Sequence, residues 1–176
     1  MDSKAYKNIA LTGMMGCGKS TVAKELASVL SDYQNIEMDF EIEKKESLSI
    51  SEIFEKYGEA YFRTIEKQLV KDLSHKENLI ISMGGGAFLN EENRNLFLKN
   101  AFCVYLKTSQ NEIYQRVKND NSRPLLNVDN LKEKIDNLIA QREKYYKFAH
   151  IEIETDNKTP QKIAKEILEK YKEYGN

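Results

Sequence analysis

The chain has 176 residues, with 27 basic and 28 acidic side chains and a formal net charge of −1. This length is ordinary for one domain with a substantial core, so we expect a single domain over residues 1–176. Balanced charge offers no global field for nucleic acid or an anionic membrane, and we find no local basic patch. No apolar run reaches the roughly 20 residues of a membrane span, and the first residues lack an apolar signal segment. We expect a cytoplasmic protein, monomeric by default, that binds neither nucleic acid nor membrane.

A glycine-rich loop follows the first predicted strand, which covers residues 6–12. The loop consists of Gly13, Met14, Met15, Gly16, Cys17, Gly18, Lys19 and Ser20, with Thr21 directly after it. It meets the Gly-x-x-x-x-Gly-Lys-Ser/Thr pattern, in which backbone N–H groups and the end of a helix dipole bind phosphate. Lys19 is predicted to reach the terminal phosphates, and the Ser20 hydroxyl to bind Mg²⁺. Because strand, loop and helix come in the required order, a nucleoside triphosphate is the first predicted ligand.

The two cysteines, Cys17 and Cys103, do not suggest a disulfide scaffold, and they favour a reducing compartment. Cys17 lies at a helix N-terminus beside Lys19, which would favour its thiolate and allow modification. An inert small loop residue is the favoured interpretation, and we predict no catalytic role for Cys17. His75 and His150 are interpreted as ordinary surface residues.

After the loop, short apolar runs alternate with amphipathic segments along the chain. Further strands are predicted near residues 35–38, 78–83, 101–106 and 151–155. Helices are predicted over 18–30, 49–57, 59–73, 91–99, 109–119, 130–146 and 160–168. This alternation predicts an α/β fold with a five-stranded parallel sheet flanked by helices on both faces. The polar segment at approximately 119–130, which contains Arg123, is predicted to be a mobile lid.

Three features lie where ligands bind in parallel sheets, beyond the carboxyl ends of strands. An acidic group that starts at Asp39 follows the second strand, although a solvated helix start explains it equally well. The triplet Gly84, Gly85 and Gly86 follows the third strand and leaves room for something to approach the backbone. Arg63 and Glu66 are three residues apart on one helix, so they form either a surface ion pair or an arginine held in position by glutamate.

Arginine is scarce in this chain, because 22 of the 27 basic residues are lysine. A planar guanidinium that binds carboxylate or phosphate through two hydrogen bonds cannot be replaced by lysine. The five arginines are therefore candidate functional residues, at positions 63, 94, 116, 123 and 142.

Taken together, these features resemble the shikimate kinase family over nearly the whole chain. The resemblance is carried by the phosphate loop, Asp39-x-x-Ile42-Glu43, Ser49-Ile50-x-Glu52-Ile53-Phe54, Gly58-Glu59-x-x-Phe62-Arg63-x-x-Glu66, the glycine triplet, Arg123-Pro124-Leu125-Leu126 and Arg142-x-x-x-Tyr146. It implies a P-loop fold like that of nucleoside monophosphate kinases. It also implies transfer of the γ-phosphoryl group of ATP to the 3-hydroxyl of shikimate, in the biosynthesis of aromatic amino acids.

The resemblance further implies roles for individual residues. Asp39, Arg63, Glu66, Gly84, Gly85, Gly86 and Arg142 would bind shikimate, and Lys19, Asp39 and Arg123 would be catalytic. The loop from Gly13 to Thr21, together with Arg116 and Arg123, would bind ATP, and the turn at 155–160 would flank the adenine. Ser20 would hold Mg²⁺, with Glu37 reaching the ion through water. Glu37 replaces an aspartate that is usual in the family, and Ser47 replaces a common glycine.

Two alternatives remain at this point. Another small-molecule kinase of the same architecture, for gluconate or a nucleoside monophosphate, would share Lys19 and Ser20 but not the acceptor residues. A nucleotide-binding regulatory module without activity would show damage among Lys19, Ser20, Asp39 and Arg123, and the sequence shows none.

Overall fold

The computed structural model describes residues 6–118 and 130–174. These residues form one sheet of five parallel strands in the order β2-β3-β1-β4-β5. The strands are β1 (Ile9–Thr12), β2 (Gln34–Glu37), β3 (Leu79–Ser82), β4 (Phe102–Lys107) and β5 (Ile151–Glu154). The predicted α/β fold with a five-stranded parallel sheet is confirmed.

The helices between the strands match the predicted pattern closely. They are α1 (Lys19–Val29), α2 (Met38–Glu46), α3 (Ile50–Leu73), α4 (Glu91–Asn100), α5 (Gln110–Val117), α6 (Leu131–Tyr146) and α7 (Pro160–Tyr174), with a 3₁₀ helix at Ala87–Leu89. Asn130 caps α6, and its side chain accepts a hydrogen bond from the Glu133 backbone. The rest of the predicted lid, including Arg123, lies outside the described residues.

Alternation along the strands divides the core between the two faces of the sheet. In β1, Ile9 and Leu11 pack with residues of α1 and α7. Ala10, between them, belongs to the cluster formed with α3, α4 and α6. Successive side chains of a strand point to opposite faces, so helices are needed on both. Among the described helices, none is long and apolar enough to cross a membrane.

The start and the bend of α3 follow from local chemistry. Ser49 forms a capping box with Glu52, and the Glu43 carboxylate accepts a hydrogen bond from the Ile50 backbone at 2.9 Å. Gly58 interrupts the helix with φ 77° and ψ 172°, a conformation that is essentially restricted to glycine. The two predicted helical segments on either side of Gly58 are thus the two halves of one bent helix.

The prediction that both histidines are ordinary surface residues is wrong for His150, although His75 is exposed. The Nδ1 atom of His150 accepts a hydrogen bond from the Cys103 backbone at 2.9 Å, and its Nε2 lies 3.0 Å from the Tyr6 hydroxyl. The ring also stacks on Phe102. Burial lowers the pKa of His150, and acceptance by Nδ1 requires the neutral ring with its proton on Nε2. The residue joins β4 to the start of the described chain, a contact that no local pattern reveals.

Candidate active site

A cleft of about 480 Å³ opens at the carboxyl edge of the sheet. The strands β1, β2 and β3 deliver the phosphate loop, the start of α2 and the glycine triplet to this edge, as parallel topology requires. The predicted residues that line the cleft are Met15, Gly16, Cys17, Gly18, Lys19, Ser20, Thr21, Glu37, Asp39, Gly85 and Arg116. Lys158 and Pro160, from the turn that was predicted to flank the adenine, also line it.

Close contacts explain the glycines of the phosphate loop. A Cβ on Gly13 would lie 2.6 Å from the Leu106 carbonyl oxygen, and one on Gly16 would lie 2.7 Å from a methyl group of Val117. Both glycines also have positive φ, at 142° and 77°. The loop therefore packs directly against the end of β4 and against α5.

Lys19 bends back over the loop. Its ammonium group donates to the carbonyl oxygens of Gly13 and Met14, at 2.9 and 3.0 Å. The Sγ atom of Cys17 is 3.7 Å away, and this side chain is 1% exposed within the core on the α1 side of the sheet. The Cys17 thiol is thus buried between the core and the Lys19 ammonium group rather than presented at the surface.

Several side-chain oxygen atoms of the kind that bind Mg²⁺ lie beside the loop. The Ser20 hydroxyl lies 3.5 Å from the hydroxyl of Ser82, a buried residue at the end of β3 that the sequence analysis missed. Glu37 and Asp39 face the same cleft, and Glu37 lies 3.6 Å from the Lys24 ammonium group. In kinases Mg²⁺ is bound by one or two protein groups together with substrate phosphates and water. This donor set fits such an ion, whereas the described residues contain no cluster of three or more acidic, His or Cys side chains suited to hold a metal alone.

Asp39 lies in the first turn of α2 and also lines the cleft. The acidic group is therefore both the start of a helix and part of the candidate site. A Cβ on Gly84 would come within 2.6 Å of the Asp39 carboxylate. The glycine therefore provides the space in which this carboxylate lies. Ile42 is buried in the core and Glu43 caps α3, so these members of the motif have structural positions.

Arg63 is held between the carboxylates of Glu59 and Glu66, so the Arg63–Glu66 pair is not a simple surface ion pair. Its Nη1 donates to Glu66 at 2.9 Å, and its Nε and Nη2 donate to one oxygen of Glu59 at 3.2 and 3.1 Å. Glu66 is 1% exposed; burial raises the pKa of its carboxyl group, and the Arg63 guanidinium opposes that rise. A Cβ on Gly86 would lie 2.6 Å from the Arg63 guanidinium.

Arg142 approaches the same triplet from α6. Its Nη1 lies 3.8 Å from the position that a Cβ on Gly85 would take. One turn later, the buried Tyr146 hydroxyl donates to the Gly85 carbonyl oxygen at 2.9 Å. Burial raises the pKa of Tyr146 to about 12, against the effect of Arg142. Tyr146 thus ties α6 to the triplet, a contact that its place in the sequence motif did not reveal.

The two other arginines in the described part of the chain divide between the cleft and the core. Arg116 donates to the Gly16 carbonyl oxygen and to Glu112, both at 3.2 Å, at the phosphate-loop end of the cleft. Arg94 is 8% exposed and lies in α4, away from the cleft. The scarcity of arginine had singled out this position, but no role was predicted for it.

Comparison with known proteins identifies the family. A family model for shikimate kinase matches residues 15–172. The chain belongs to the shikimate kinase family. The shikimate kinase of Sulfurihydrogenibium sp. (strain YO3AOP1) is 45% identical over 94% of this chain and 98% of its own. The shikimate kinase of Thermodesulfovibrio yellowstonii is 38% identical over 97% and 98% of the two chains.

A solved structure of the same family agrees. Shikimate kinase from Acinetobacter baumannii, in complex with shikimate, is similar to this chain with a TM-score of 0.91 and 37% identity, over 97% of both chains. The family resemblance inferred from the motifs is therefore confirmed. The P-loop kinase fold that it implied is confirmed as well.

Proposed function

We propose that this chain transfers the γ-phosphoryl group of ATP to the 3-hydroxyl of shikimate, giving shikimate 3-phosphate and ADP in the biosynthesis of aromatic amino acids. One observation carries the proposal. In a chain of this family, a single cleft runs from the phosphate loop to Asp39 and Gly85, and Arg63 and Arg142 border the same glycine triplet. Donor and acceptor sites are thus adjacent, as direct phosphoryl transfer requires.

The donor end binds ATP through the loop. Backbone N–H groups at the start of α1 and the Lys19 ammonium group bind its phosphates, and these phosphates replace the carbonyl oxygens that Lys19 contacts in the structure. Arg116, Lys158 and Pro160 enclose the adenine side of the cleft. Mg²⁺ held by Ser20, with Glu37 and Asp39 nearby, would neutralise charge on the phosphates.

The acceptor end recognises a small hydroxylated carboxylate. Arg63 and Arg142 bind the carboxylate, because paired guanidinium groups match its geometry. Asp39 binds the ring hydroxyls and accepts the proton of the hydroxyl that attacks. Glu66 holds Arg63 in place, and the triplet offers backbone contacts without side chains. Arg123 and the lid, which lie outside the described residues, stabilise the transferring group and exclude water.

We further propose a cytoplasmic monomer with no nucleic-acid or membrane partner. The net charge of −1 supports the part on nucleic acid and membranes, because it gives no long-range attraction to polyanions.

The test is an ADP-release assay with shikimate, gluconate and AMP as separate acceptors. We expect release with shikimate alone, since only this acceptor combines a carboxylate for two arginines with a ring of hydroxyls. Faster release with gluconate or AMP would point to another small-molecule kinase. Nucleotide binding without release for any acceptor would point to a regulatory module.

A further inference from the structure

We propose that Arg94 is a positioning residue that holds the carboxyl end of α6, and with it Arg142, against the glycine triplet. This inference rests on the proposed function, because the proposed function assigns the triplet and Arg142 to the acceptor site. Arg94 is 8% exposed in α4 and lies outside the cleft, so it acts through its neighbours rather than on a substrate.

The first contact of Arg94 is with the 3₁₀ helix that follows the triplet. Its Nη1 donates to the carbonyl oxygens of Phe88 and Leu89, both at 3.2 Å. This helix begins directly after Gly86, and the Leu89 backbone donates to the Gly86 carbonyl oxygen at 3.1 Å. A helix of three residues satisfies few of its own carbonyl groups. A cationic donor at its carboxyl end therefore completes it and fixes the backbone that carries the triplet.

The second contact is with the end of α6 and the turn that follows it. The guanidinium carbon of Arg94 lies 4.7 Å from the ring centroid of Phe148 and 5.7 Å from that of Tyr145. These rings follow Arg142 by three and six residues, so their position sets the end of the helix that carries it. A guanidinium plane suits this place because it can stack on aromatic faces while its edges donate hydrogen bonds.

Together the two contacts form an outer bridge between the triplet and α6. The inner bridge is the hydrogen bond from Tyr146 to Gly85. Within residues 6–118 and 130–174, Arg94 takes part in no ion pair, so its charge is buried against carbonyl groups and rings. An apolar side chain would fill the same space without desolvating a charge. A requirement for a fixed geometry explains why an arginine is used here.

The consequence is asymmetric between the two substrates. Loss of the outer bridge would shift Arg142 relative to Gly85, while in the described part of the chain the hydrogen bonds and ring contacts of Arg94 do not reach Lys19, Arg116 or the phosphate loop. A shift of about 1 Å in a binding residue can reduce activity up to about a hundredfold. The acceptor site should therefore weaken and the ATP site should not.

The experiment compares Arg94→Met and Arg94→Lys with wild type, using shikimate as acceptor. For Arg94→Met we expect the KM for shikimate to rise about tenfold or more, with the KM for ATP within about twofold of wild type. Arg94→Lys should recover part of the loss, because its ammonium group keeps the charge and one donor but not the stacking plane. An unchanged KM for shikimate in both variants, or an equal rise in both KM values, would overturn the proposal.

Asn8→Ala is the matched control for stability. Asn8 is buried just before β1, at the amino ends of the strands and so on the side of the sheet away from the cleft. Its amide group donates to the carbonyl oxygens of Lys76 and Asn100 and accepts a hydrogen bond from the Leu79 backbone. This variant should lose stability and keep both KM values. If Arg94→Met does not fold, Arg94→Lys decides: a selective rise in the KM for shikimate supports the proposal, and wild-type values overturn it.

A second readout does not depend on the acceptor. Hydrogen exchange at the backbone amides of Ala87 and Leu89, which donate to Gly84 and Gly86, should be faster in the Arg94 variants than in Asn8→Ala at equal global stability. Equal exchange would overturn the positioning role. If wild type did not phosphorylate shikimate, the proposed function would fail, and this exchange measurement would still report on the bridge.

Discussion

The Arg63 and Glu66 pair shows how one residue can serve both stability and recognition. Glu66 is 1% exposed, and its carboxylate relies on the Arg63 guanidinium at 2.9 Å. A buried charge that loses its partner is strongly destabilising, whereas a neutral side chain in its place is not. The pair is therefore a structural support beneath a residue that we propose binds the acceptor.

This predicts a specific mutant cycle. Arg63→Ala should lower the free energy of unfolding by about 2–3 kcal/mol, below the 3–5 kcal/mol of a fully buried pair because Arg63 keeps solvent contact. Adding Glu66→Gln should restore most of this loss, since the unpaired carboxylate is removed. Urea denaturation of wild type, Arg63→Ala, Glu66→Gln and the double variant measures both effects. Equal stability of the single Arg63 variant and the double variant would contradict the role of the buried charge.

The proposed base, Asp39, gives a prediction for turnover. Asp39→Asn keeps the shape of the side chain and removes its charge, so ATP affinity should stay within about twofold while kcat falls by about a hundredfold or more. Steady-state kinetics with shikimate and a nucleotide-binding titration measure the two quantities. Glu41→Gln, in the same first turn of α2, is the control and should leave both values unchanged. A normal kcat in Asp39→Asn would exclude the proposed role.

His150 predicts a dependence of stability on pH. Its pKa is lowered by burial, so the folded protein binds fewer protons at this site than the unfolded chain. The stabilising contribution of the neutral ring is complete above the ordinary pKa of about 6.5 and is lost as pH falls through the lowered value. Protonation at Nδ1 would also remove the acceptor of the Cys103 backbone hydrogen bond.

The measurement is the free energy of unfolding between about pH 7.5 and pH 5 for wild type and His150→Gln. Wild type should lose stability as pH falls. His150→Gln should be less stable at neutral pH and should show a shallower slope. Parallel curves for the two proteins would argue against a titrating His150.

At the scale of elements, the end of each strand decides what enters the cleft. The glycine triplet after β3 is the clearest case, because its three positions differ in what a Cβ would meet. At Gly84 and Gly86 it would meet the Asp39 carboxylate and the Arg63 guanidinium, both at 2.6 Å, whereas at Gly85 it would lie 3.8 Å from Arg142. These neighbours are the flexible ends of side chains that can move aside, at a cost to function.

We therefore predict that Gly86→Ala weakens the acceptor end of the site. The KM for shikimate should rise about tenfold because Arg63 is displaced. The free energy of unfolding should fall by up to about 2–3 kcal/mol, the loss expected for Arg63→Ala, because Nη1 of Arg63 is the atom that pairs with the buried Glu66. The KM for ATP should not change. Gly85→Ala is the comparison, and its methyl group makes an ordinary contact, so its effect on Arg63 should be absent. A KM for shikimate in Gly86→Ala that equals that of wild type would show that Arg63 does not need its observed position.

At the scale of the whole molecule, the described residues of one chain supply both ends of the cleft, so a second copy is not needed to complete it. For the proposed monomer of 20.4 kDa, a compact chain of this length should have a radius of gyration of about 16 Å. Size-exclusion chromatography with small-angle X-ray scattering measures mass and radius together. A mass near twice 20.4 kDa that does not change on dilution would establish a dimer instead.

The sequence by itself determined the fold class, the order of elements and the positions of most site candidates. These properties depend on local chemistry: apolar runs bounded by glycine, the capping box at Ser49, the break at Gly58 and a phosphate loop whose spacing has few other uses. Each signal lies within a few residues of what it predicts, and for that reason it can be read from one chain.

Only the tertiary structure decided which residues meet. Arg94 reaches across from α4 to α6, His150 reaches the backbone of β4, and Tyr146 reaches Gly85, over separations of tens of residues. It also decided that Glu66 is buried beneath Arg63, which the helical spacing of the pair had left open. Such contacts depend on how helices pack on the sheet. Packing is set by the shape and volume of the whole core, to which every element contributes and which no short stretch of sequence encodes.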